Sequence, residues 1–136
     1  MLNNLNYLFL FQRLIKEGSL EVTLTNIFSL VISRDYIILD IENIKSLKKI
    51  IETISPKSEN GKLKSFLEKI DDLKSFLSEI SKIAEILVKE KKTFILKYNG
   101  EDILIFGYDA KGGIILKNIK IVNKWLLIKM LNEFKD

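Results

Sequence analysis

The chain contains no cysteine and no histidine. Without cysteine there is no disulfide framework and no thiolate chemistry. Without histidine no imidazole can ligate zinc or carry a proton near neutral pH, so Ser-His-Asp and Cys-His catalysis are excluded. What remains is carboxylate, lysine and tyrosine chemistry, or a hard cation held by oxygen. Arginine is confined to Arg13 and Arg34, against 20 lysines. A dedicated nucleic-acid surface clusters basic residues and uses arginine, whereas lysine here alternates with Glu and Asp. Long hydrophobic runs are also missing. The run Tyr7-Leu8-Phe9-Leu10-Phe11 is too short to span a bilayer, has no basic lead and has no small-residue cleavage site. It reads as a buried helix, and we expect a cytoplasmic protein with no transmembrane segment.

What is present suits a globular domain. Of the 136 residues, 47% are hydrophobic and 29% are charged, a balance that supports one packed domain, 1–136. Ile and Leu together supply 43 residues. The net charge is +4, with the first 56 residues balanced and the surplus in the remainder. Abundant Lys and Glu with a single Gln point to a thermophile, although ten Asn residues point the other way.

The sequence also reads as if written twice. Leu14-Ile15-Lys16-Glu17 returns as Leu87-Val88-Lys89-Glu90, an offset of 73 residues. The same offset carries Val22 onto Ile95, Asn26 onto Asn99 and Ile32 onto Ile105. Ile37-Ile38-Leu39 returns as Ile114-Ile115-Leu116, and Asn43 as Asn123. Each copy reads helix, strand, strand, strand, helix, giving pseudo-symmetric halves over 1–56 and 61–136. Such self-similarity informs the architecture and is silent on chemistry.

Period and turn chemistry place the elements. Asn3 or Asn4 caps a first helix that Gly18 ends. Leu20, Val22 and Leu24 alternate with Glu21, Thr23 and Thr25, a half-buried strand. Strands at 27–33 and 36–41 flank a tight turn at Arg34-Asp35. Asn43 caps a helix that Ser55-Pro56 stops. Leu63, Phe66, Ile70, Leu73, Leu77, Ile80, Ala84 and Leu87 then keep heptad-like spacing. Continuous from Lys62 to Lys92, that helix would be ~46 Å long. Asn99-Gly100 joins strands 93–98 and 101–108 as a two-residue hairpin, placing Lys97 opposite Asp102. Simple alternation puts Phe94, Leu96, Ile103 and Ile105 on one apolar face, and Ile95, Leu104, Phe106 and Tyr108 on the other. A hairpin apolar on both faces is central and covered twice, or covered by a partner. A strand at 114–121 and a last helix capped by Asn123 follow.

No constellation carries chemistry. The loop Gly107–Gly113 lacks the Gly-Lys-Ser/Thr ending of a phosphate loop and does not open onto a helix. Asp40 and Glu42 share a strand face, and solvation accounts for them. Phe94, Tyr98, Phe106 and Tyr108 could stack bases, but the basic companions are few, and core packing is the better reading. No catalytic, cofactor-binding or metal-binding residue is expected.

The fold expected is α+β: a two-layer antiparallel sheet of about six strands with helices on one or both faces. The order helix, long helix, hairpin, strand, helix is loosely similar to roadblock and longin-like modules. That likeness implies a non-catalytic scaffold, by analogy of fold alone. The leading function is a non-enzymatic interaction or assembly module, a homodimer or the partner of another protein. Its candidate interface is Phe66, Ile70, Leu73, Phe76, Leu77 and Ile80. A carrier of an apolar small molecule or lipid is the alternative, and nucleic-acid binding through lysine is weaker.

Overall fold

Turn chemistry divides the chain into two runs of three strands. The computed structural model describes residues 19–54, 73–110 and 117–135. In order, the elements are β1 (Leu20–Leu24), β2 (Phe28–Ile32), β3 (Tyr36–Ile41), α1 (Ile44–Ile54), α2 (Leu73–Lys89), β4 (Thr93–Tyr98), β5 (Glu101–Gly107), β6 (Ile119–Ile121) and α3 (Lys124–Lys135). Asn26, at φ 68°, turns β1 into β2. The Ser33 amide donates to the Tyr36 carbonyl at 2.8 Å around Arg34-Asp35. Asn99 and Gly100 both take positive φ, 49° and 82°, as a two-residue hairpin on twisted strands requires. The first helix, the stretch 62–72 and residues 114–116 of the sequence reading lie outside the described residues.

The six strands form one sheet in the order β1-β2-β3-β4-β5-β6. It is mixed rather than wholly antiparallel, because β3 and β4 run parallel. The cause is the connection. Residues 42–92 carry the chain from the end of β3 back to the end where β3 began, and a crossover of that length permits parallel pairing. Backbone bonds tie both ends of the pair: Thr93 N to Asp35 O and Asn99 N to Ile41 O, each 2.9 Å.

The hairpin also departs from simple alternation. Lys97 pairs with Asp102, but Leu96 pairs with Leu104 and Phe94 with Phe106, with the register shifting between Leu96 and Lys97. Ile103 is the extra residue of a β-bulge. One extra residue reverses every side chain beyond it. Phe94, Leu96, Leu104 and Phe106 therefore share one face, and Ile95 and Ile105 share the other. Phe94 and Phe106 stack with centroids 4.7 Å apart.

The core lies on the first of these faces. Ile41, Leu96, Leu104, Phe106 and Ile119 from the sheet are buried with Ile44 and Leu47 of α1. Phe76, Leu77, Ile80, Ala84 and Leu87 of α2 join them, with Leu126, Leu127, Met130 and Leu131 of α3. The i, i+3, i+4 spacing of the α2 residues explains why that stripe faces the sheet. Lys48 Nζ donates to the Phe134 carbonyl at 3.0 Å, joining α1 to a free carbonyl near the end of α3. Helix α2 stops at Lys89, before the expected Lys92. Lys91 adopts φ 56°. Its amide donates to Val88 O at 3.1 Å, and that of Lys92 donates to Leu87 O at 2.9 Å, the pattern of a left-handed C-terminal cap.

The two helices that follow the meanders begin alike. Asn43 Oδ1 accepts the Ser46 amide, and Asn123 Oδ1 the Leu126 amide, each at 3.0 Å. The Ile27 carbonyl accepts the amides of Glu42 and Asn43. The Ile103 carbonyl accepts those of Val122 and Asn123. No helix among the described residues is long and apolar enough to cross a membrane.

Candidate interaction surface

The candidate interface residues fall in two groups. Phe66 and Ile70 lie outside the described residues. Leu73 is half-buried at the start of α2, and Phe76, Leu77 and Ile80 are buried against the chain's own sheet. The heptad-like spacing is thus used, at least from Phe76 onward, to pack α2 on β4 and β5. Its outer face carries Ile83 and Ile86, the latter 62% exposed.

The larger unassigned surface is the second face of the sheet. The pairings set one continuous row across all six strands: Glu21, Val31, Ile38, Ile95, Ile105 and Lys120. Its four inner members are aliphatic, β-branched and half-buried, and none belongs to the core cluster. Two residues along the strands, or three on β5 where the bulge adds one, a polar row runs beside it: Thr23, Ser29, Asp40, Lys97 and Asp102. Lys97 Nζ lies 3.4 Å from Asp102 Oδ1. Asp40 Oδ1 accepts the Gly100 amide at 3.1 Å, so this carboxylate steadies the hairpin turn. On the other side of the aliphatic row are Tyr36 and Thr93, whose hydroxyl donates to Tyr108 O at 2.7 Å. Single-sequence alternation hid this row because the bulge at Ile103 moved Ile105 onto it.

Other features are smaller. Trp125 is 71% exposed at the start of α3, with Lys129 Nζ 5.7 Å from its ring centroid. Tyr98 Oη donates to Glu133 Oε2 at 2.8 Å. That bond, with burial and the negative charge of Glu133, holds the Tyr98 phenol above its ordinary 10.0. Lys92 is 9% exposed, and its Nζ has no hydrogen-bond partner among the described residues. Among the described residues, no group of three or more carboxylates is placed to hold a metal ion.

Together these features define an α+β protein with a packed helical face and, on the opposite side of its sheet, a half-buried aliphatic row that none of the described helices covers. At the level of sequence, the chain is 74% identical over 136 residues to the uncharacterized protein MJ1540 of Methanocaldococcus jannaschii, covering 100% of both. The chain belongs to that protein's family, and the relative comes from a thermophile. No family model and no solved structure matches.

Proposed function

We infer that this protein is a non-enzymatic assembly module that self-associates as a homodimer in the cytoplasm. The observation that carries the reading is the aliphatic row Val31, Ile38, Ile95 and Ile105 on the sheet face opposite the described helices. Burial of apolar surface is the main driving force for association. A contiguous aliphatic row on an otherwise polar face is the kind of surface that a partner covers. The carboxylates nearest to this face favour a structural role: Asp40 holds Gly100 N and Asp102 meets Lys97. With neither histidine nor cysteine in the chain, this favours assembly over catalysis. The space between sheet and helices is occupied by Leu77, Leu104, Ile119 and Leu127, which favours assembly over carriage of an apolar ligand.

The same reading takes the two meanders as pseudo-symmetric halves. The matched carbonyls of Ile27 and Ile103 and the matched caps at Asn43 and Asn123 support it. The halves then relate by a step of three strands along the sheet, because β3 and β4 are parallel and each meander keeps its direction. Light scattering across a dilution series tests the function. A dimer that dissociates on dilution is expected. A chain monomeric at high micromolar concentration overturns the reading.

A further inference from the structure

We propose that a second copy of this chain packs on the sheet face that the described helices leave uncovered, related by a two-fold axis that runs parallel to the strands between β3 and β4. The inference rests on the homodimer reading and assigns its surface and its geometry.

The argument is one of charge order. Along the aliphatic row the sequence of side chains is Glu21, Val31, Ile38, Ile95, Ile105, Lys120. One end is negative and the other positive. Two sheets packed face to face lie about 10 Å apart. A two-fold axis along the strands reverses the row of the second copy. Glu21 then faces Lys120 of the second copy, Val31 faces its Ile105, and Ile38 faces its Ile95. In the polar row Asp40 faces Lys97 of the second copy, so Lys97 lies between its own Asp102 and that Asp40. A two-fold axis along the row instead sets Glu21 on Glu21 and Lys120 on Lys120, and like charges in contact are unfavourable. It also lays the polar row over the side that carries Tyr36. The charges therefore select the first axis. Self-complementarity of one patch is what a two-fold homodimer requires.

The size of the face sets the strength. Six strands span ~24 Å and five residues ~17 Å. The planar footprint of roughly 400 Å² is small beside the ~800 Å² per partner of a standard interface. The pair is accordingly one that dilution separates. Strand twist opens the corners of packed sheets, so the contact centres on β3 and β4, and the long side chains of Glu21 and Lys120 reach across the edges.

The chain has no cysteine, so single thiols give a clean test. Val31→Cys and Ile105→Cys are made separately, mixed by co-refolding, and treated with a bis-maleimide spanning about 10 Å, the separation of packed sheets. Circular dichroism confirms that each variant folds. The mixture is expected to give several-fold more covalent dimer than either variant alone. Val31 of one copy lies opposite Ile105 of the other, whereas two Val31 positions are offset by three strand spacings, ~14 Å. Strong cross-linking of Val31→Cys with itself overturns the axis. A sample dimeric by light scattering that gives no cross-link overturns the surface, while self-association stands. A monomeric wild type removes both. Should either thiol variant fail to fold, the exposed edge pair decides. Glu21→Lys and Lys120→Glu should each weaken association roughly two- to fivefold, and the double variant should restore it. Absence of that restoration overturns the proposal.

Discussion

Gly107 lies directly against Leu87, where the end of β5 meets the last turn of α2. A Cβ built at Gly107 would meet Leu87 Cβ at 2.8 Å and the Lys92 carbonyl oxygen at 2.6 Å. The backbone there has φ +104°, which side-chain-bearing residues rarely adopt. Gly107→Ala therefore combines a backbone clash with a strained dihedral. A loss of roughly 2–4 kcal/mol in chemical denaturation is expected. Gly100, also at positive φ, has open space around it, so Gly100→Ala should cost about 1 kcal/mol from conformation alone.

Lys92 is buried, and its ammonium group has no hydrogen-bond partner among the described residues. Removing an ion from water without compensation is costly. Lys92→Met keeps the length of the side chain and removes the charge, and it should stabilise the fold by about 1–3 kcal/mol. A rise in the denaturation midpoint with an unchanged m-value is the expected result. A fall would show that the ammonium is satisfied in solution.

Among the described residues at positive φ, Lys91 is the exception, the other non-glycine cases being Asn26, Asn99, Asp109 and Asn118. Asn and Asp tolerate the left-handed region better than Lys does. Glycine is the usual residue at this position of a helix C-terminal cap. Lys91→Gly should raise stability by about 1 kcal/mol, measured as an increase in Tm without change in the circular dichroism spectrum.

Asn43 and Asn123 each cap a helix whose first turn has no acidic residue. Replacement of either by Ala should cost about 1 kcal/mol through the lost side-chain bond. Replacement by Asp keeps the acceptor and adds a charge that the helix dipole favours, so Asn43→Asp and Asn123→Asp should match or exceed the wild type. Thermal denaturation of the four variants separates the bond from the charge.

The Tyr98–Glu133 bond ties β4 to α3 and holds the Tyr98 phenol above 10.0. A raised value means that the folded chain retains the proton more strongly than the unfolded chain. The contribution is then fully present below about pH 10 and is lost as pH rises through the folded value. Tyr98→Phe should lower stability at neutral pH and flatten the alkaline decline in Tm. An equal alkaline decline in both proteins would assign it to other groups.

Much of this fold was legible along the chain. Alternation in Leu20–Leu24 and the positive-φ pair Asn99-Gly100 depend on interactions within a few residues. So do the caps at Asn43 and Asn123 and the spacing of Phe76, Leu77, Ile80, Ala84 and Leu87. Local turn and helix energetics decide such features, and the sequence by itself determined them. It also excluded imidazole and thiol chemistry outright. Three features were decided only by tertiary structure. The parallel pairing of β3 with β4 depends on how residues 42–92 return across the sheet, which no local pattern records. The bulge at Ile103 places one extra residue against its partner strand, and it exchanges the faces of Ile105 and Phe106. The stripe of α2 has the same spacing whether it meets its own sheet or a second chain. Burial of Phe76, Leu77 and Ile80 within the monomer followed from the apolar face that β4 and β5 present once the bulge has set their register.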